Sequence, residues 1–127
     1  MAQVKALIGN IKGKPGKDGS ENQIYSYDET PIGTWVGGET IYRKVVSCGT
    51  LPNNNIKTVA SGISNLNEVI SISGISYSPS SNCWSPIPYA SSSNGTVFMS
   101  GATINIRTDG NVSSYTKTYV IIEYTKK

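Results

Sequence analysis

Six acidic side chains follow residue 22, namely Asp28, Glu29, Glu39, Glu68, Asp109 and Glu123, and none falls in a recognisable catalytic motif. Glycoside hydrolysis needs two carboxylates set roughly 5 to 10 Å apart across a sugar. Asp28 and Glu29 are adjacent in sequence, a spacing more typical of solvated loop charges than of an acid–base pair. The chain has no histidine, so a Ser/His/Asp triad cannot be assembled despite abundant serine. The two cysteines, Cys48 and Cys83, form no CxxC or Cys/His cluster, which leaves a zinc site unsupported. A Cys48–Cys83 disulfide stays open, with free thiols the expected state because no export signal is visible. The expectation is therefore a protein that is not an enzyme and carries no catalytic, cofactor or metal residues.

Binding chemistry is better represented. Sugar faces stack on exposed aromatic rings while neighbouring amides fix the hydroxyls. Asn82, Trp84 and Tyr89 lie in a Ser-, Pro- and Asn-rich stretch, 78–94, that reads as an exposed loop, and they are the candidate receptor-binding residues. The competing role for Trp84 is closure of the domain's own core or of a seam between subunits, since Trp is largely buried on average. Trp35, close to a turn, is expected to pack on its own sheet.

The elements that must position these residues are β-strands. Ser, Thr, Asn and Gly dominate the polar set, Tyr, Val and Ile the apolar set, and only 15% of residues are charged. A length of 127 residues suits one domain with a short appendage. The formal charge of +3 arises at the front, where Lys5, Lys12, Lys14 and Lys17 face Asp18 and Glu21. The folded part has no basic stripe interleaved with aromatics, so nucleic acid is not an expected partner. No apolar run approaches the length of a membrane span, and the first twelve residues are too interrupted for a signal-peptide core. Synthesis in the cytoplasm is expected.

Residues 1–12 carry an apolar cluster, Val4, Leu7, Ile8 and Ile11, with no partner segment nearby, and read as an anchor that orders against another chain. Residues 13–22 follow with Gly13-Lys14-Pro15, Gly16-Lys17-Asp18 and Gly19-Ser20-Glu21. Glycine at every third position is the collagen register, in which three chains wind together because only Gly fits the crowded axis. Three triplets span only about 25 to 28 Å, so a following domain must hold the chains together. A flexible Gly/Lys linker is the alternative.

From residue 23 to 127 the chain reads as a β-knob, short strands punctuated by Gly, Asn, Ser and Pro. Gly37-Gly38 predicts a two-residue hairpin turn between strands at about 33–36 and 39–48. Further strands are expected at 58–60, 69–77, 96–99 and 102–107, with a loop at 51–55 and a turn at 109–111. Ile70 and Ile72 share one parity and Ile75 and Tyr77 the other, which predicts a bulge at Ser73-Gly74. The segment 115–125 is apolar on both parities, with Tyr119 and Ile121 opposed to Val120, Ile122 and Tyr124. Such a strand must be covered on both faces, one of them available to a neighbouring subunit.

The stretch from Glu29 to Lys44, ETPIGTWVGGETIYRK, resembles the opening of a β-knob domain recurrent in bacteriophage tail-fibre and head-fibre proteins, where a VGTWIDGKPIYRK-like string is typical. Thr50-Leu51-Pro52, the run from Ala60 to Asn65, Val69 to Gly74, Pro86-Ile87-Pro88 and the closing Tyr119 to Lys126 follow in the family's usual order. The family often has His where Ser61 stands and Asp-Gly where this chain has Gly37-Gly38. The resemblance implies an all-β, antiparallel sandwich-like knob forming a homotrimer, with Gly13, Gly16 and Gly19 in the shaft. It implies a structural virion fibre, a capsid-attached head fibre or a short tail fibre. Its partners would be itself, capsid or tail proteins through the N-terminus, and host cell-surface glycans.

Overall fold

The computed structural model describes residues 24–88 and 95–127. Among them are eight strands and no helix: β1 (Thr30–Thr34), β2 (Thr40–Ser47), β3 (Ile56–Ala60), β4 (Leu66–Ser78), β5 (Cys83–Ile87), β6 (Gly95–Ser100), β7 (Thr103–Thr108) and β8 (Lys117–Lys126). They form a five-stranded sheet in the order β1-β2-β8-β4-β5 and a three-stranded sheet in the order β3-β7-β6. All pairings are antiparallel. The architecture is all-β, as expected from composition, and its two antiparallel sheets are consistent with a sandwich-like domain.

Alternation explains how the two sheets close. On β8, Val120, Ile122 and Tyr124 are fully buried, and on β7 so are Ile104 and Ile106. Val97 of β6, Ile87 of β5 and the loop residues Cys48, Leu51, Ile63 and Val112 complete the core. Each fully buried aliphatic side chain contributes roughly 1.5 to 3 kcal/mol relative to leaving it in water. The hydroxyls that share this interior are paired. Ser76 Oγ and Thr118 Oγ1 lie 2.7 Å apart, and Thr108 Oγ1 donates to the Pro52 carbonyl at 2.7 Å.

Three local expectations are corrected. The β1–β2 hairpin closes with a three-residue loop, Val36 to Gly38, instead of a two-residue Gly37-Gly38 turn. Gly38 N–H donates to the Trp35 carbonyl at 2.9 Å and Trp35 N–H to the Glu39 carbonyl at 2.8 Å, and Gly38 alone in this loop takes a positive φ, +95°. That is a turn followed by a left-handed residue, a common hairpin closure.

The bulge in β4 lies earlier than Ser73-Gly74. Register slips between Leu66 and Val69 and again between Val69 and Ser71, whereas Ser73 and Gly74 pair regularly with Ile121 and Val120. Gly74 faces inward. A Cβ there would stand 3.3 Å from Ile87 Cβ and 3.4 Å from the Tyr119 carbonyl, so this glycine makes room for a cross-strand neighbour without bending the strand. Ile75 and Tyr77 consequently keep to the outer face of the sheet.

The expected loop 78–94 is largely a strand over its described part. After a short turn the chain returns as β5, pairing Trp84 with Tyr77 and Pro86 with Ile75. Pro86 is accommodated because β5 is an edge strand, where a missing N–H costs no ladder bond.

Candidate interaction surface

The inward face of the five-stranded sheet is consumed by the core, and its outer face carries a second apolar set. Strand register brings Val45, Ile121 and Ser73 into one row, Ser47, Tyr119, Ile75 and Pro86 into the next, and Lys117, Tyr77 and Trp84 into a third. Ahead of β1, the Val45 N–H donates to the Ser26 carbonyl at 2.9 Å and sets residues 25–27 beside β2 at the edge of the sheet. Tyr25 and Tyr27 then join Val45, Ile75, Tyr119 and Ile121 around a groove of about 360 Å³. The side-chain hydrogen bond between Tyr27 and Tyr119 pushes the Tyr27 phenol above its ordinary value.

One end of the groove is bordered by charge. Arg43 donates from Nε and Nη2 to Glu123 Oε2 at 3.1 and 2.9 Å, and its guanidinium sits 4.4 Å from the centre of the Tyr25 ring. This arrangement fixes Tyr25 by a cation–π contact and an ion pair on neighbouring strands.

The other end carries the candidate receptor-binding residues. Trp84 stands on β5, still 53% exposed, with its ring centroid 4.5 Å from that of Tyr77. Tyr77 OH donates to Asn82 Oδ1 at 2.8 Å, and Asn82 takes a left-handed φ of +49° in the β4–β5 turn. Lys117 Nζ lies 6.0 Å from the Tyr77 ring centre. The structure thus joins Asn82 and Trp84 through Tyr77, a residue the sequence reading did not single out. Chemically the trio offers an aromatic platform with an amide and a phenol beside it. Tyr89 lies outside the described residues. So do the anchor residues Val4, Leu7, Ile8 and Ile11 and the shaft glycines Gly13, Gly16 and Gly19.

Three of the carboxylates, Glu29, Glu123 and Asp109, have structural partners, whereas Glu39 Oε1 is buried without a hydrogen bond. Glu29 accepts from Tyr124 OH at 2.6 Å and from Lys126 Nζ at 3.0 Å, pinning the start of β1 to the end of β8. Burial pushes the Glu29 carboxyl up, but the bonds from Tyr124 and Lys126 outweigh it and leave the group below its ordinary value. The Tyr124 phenol is raised far above its own ordinary value by burial and by the facing carboxylate. Glu123 is engaged by Arg43, and Asp109 Oδ1 is 3.4 Å from Arg107 Nε. Both cysteines are free. Burial pushes the Cys48 thiol up to about 11, against a small opposing pull from Lys57. No group of three or more potential metal ligands occurs among the described residues.

A wider crevice of about 750 Å³ opens between the sheets on the far side, lined by Leu66, Val69, Ile72, Val97, Phe98 and Met99 among others. Asn65, Asn67 and Lys127 add polar groups to its lining. No protein-family model, curated protein or solved structure matches this chain.

Proposed function

We propose that this chain is a structural fibre of a bacteriophage particle, a homotrimer whose N-terminus docks on the virion and whose β-knob points outward. A single observation carries the reading. Glycine triplets that call for three chains lead into an all-β domain that resembles phage fibre knobs and presents a second apolar face. The placement proposed is a capsid-attached head fibre. The native mass of the purified full-length chain tests the reading: three chain masses at micromolar concentration support it, and one chain mass overturns it.

A second reading, a short tail fibre that recognises a cell-surface carbohydrate, is favoured by the exposed Trp84–Tyr77 pair beside Asn82. A polysaccharide-degrading role has less support, because Glu29 and Glu123 are each held in ion pairs within the domain. Incubation with host capsule separates the classes: release of oligosaccharide would establish catalysis, and binding without cleavage would match the carbohydrate reading.

A further inference from the structure

The trimeric reading leaves open which face of the knob meets its neighbours. Two routes are available, because the sandwich has two outer faces. On the three-stranded sheet the outward positions include Thr58, Thr96 and Arg107, with Asn105 buried among them and Phe98 and Ile56 as exposed apolar members. On the five-stranded sheet they include the tyrosine-lined groove.

Chain path decides between them. The last glycine triplet closes at Glu21, and Ile24 is the first described residue. Three residue steps reach at most roughly 10 to 11 Å. If three chains share one axis up to Glu21, their three copies of Ile24 must still lie near that axis. From Ile24 the chain runs beside β2 at the edge of the five-stranded sheet, where Val45 holds Ser26 and from where Tyr25 and Tyr27 line the groove on its outer face. Ile24, Tyr25 and Tyr27 are 47%, 60% and 60% exposed, a concentration of large uncovered side chains at the point where copies must converge.

We infer that the outer face of the five-stranded sheet, centred on Tyr119 and Ile121, is the seam between copies of this chain. The occupant of the groove is a second copy, approaching with its own Ile24–Tyr27 segment and the same sheet face. The inference rests on the trimeric reading, and it also accounts for β8 being apolar on both faces. The neighbour completes the cover that Tyr25 and Tyr27 of the same chain begin.

The test uses the full-length chain, Ile121→Lys and Phe98→Lys, each followed by sedimentation and far-ultraviolet circular dichroism. An ammonium enclosed at position 121 would be buried beside Glu123, whose carboxylate Arg43 already engages, so association should weaken by at least about a hundredfold while the β spectrum is retained. Phe98→Lys, on the opposite sheet, should leave the trimer intact. A trimeric Ile121→Lys chain overturns the seam and leaves the trimeric reading standing. A monomeric wild-type chain overturns the trimeric reading itself.

Hydroxyl-radical footprinting of the wild-type chain answers the same question with no variant to fold. Tyr25 and Tyr27 should be protected while Phe98 is labelled. Labelling of both tyrosines as readily as Phe98 would place the seam elsewhere.

Discussion

The Tyr124 hydroxyl, inside the domain, donates a 2.6 Å hydrogen bond to Glu29, a residue 95 positions earlier in the chain. The bond ties the first strand to the last and makes a carboxylate part of the fold. Since Glu29 titrates below its ordinary value of 4.5 in the folded chain, folding favours its ionised form. Its contribution to stability is therefore complete above pH 4.5 and drains away as pH falls below that value. Glu29→Gln should lose stability at pH 7 and show a flatter acid limb than the wild type. Urea unfolding at pH 7 and pH 3.5 measures both, and an unchanged acid limb would remove Glu29 from this role.

Trp84 rests on Tyr77 and remains half open to solvent. Trp84→Ala should cost about 1 kcal/mol, the scale of one aromatic pair, and leave the native mass unchanged. If the platform contacts a host glycan, adsorption of particles carrying the variant should be abolished. Unchanged adsorption by a stable variant would exclude the Trp84 platform from recognition. A drop in native mass would assign the indole to the subunit seam.

The two thiols should differ in reactivity. Cys48 is buried and its thiol is pushed up to about 11, whereas Cys83 is partly exposed beside the Ser85 and Tyr115 hydroxyls. Only the thiolate reacts readily with an alkylating agent. At pH 7.5 native protein should take up one label quickly at Cys83 and the second only on unfolding. Mass spectrometry of the labelled peptides checks this, and equal rates at the two sites would contradict the burial of Cys48.

Much of the fold is legible in the residues because alternation constrains faces strongly. Ile104 and Ile106 announce β7, and the opposed sets Tyr119/Ile121 and Val120/Ile122/Tyr124 announce a central strand with two apolar faces. The misreadings of Gly74 and Pro86 share a cause, which is that local signals do not reveal their tertiary neighbours. Gly74 resembles a bulge until Ile87 is seen to need its space, and Pro86 resembles a strand breaker until β5 is seen to be an edge. Tyr77 escaped notice as a site residue because its parity was attributed to that supposed bulge. Its partnership with Trp84 depends on the β4–β5 pairing, which sequence spacing does not encode.

The central claim is that this chain is part of a phage particle, anchored through residues 1–12 with the knob outward. Immunogold labelling of intact particles, using antibody raised against the knob, tests it most directly. The account predicts label on the capsid surface and its loss when residues 1–12 are deleted, although the truncated chain still forms a soluble folded trimer. Label at the tail tip would move the fibre to the second reading. Particles that carry no label, or that incorporate the truncated chain normally, would contradict the account.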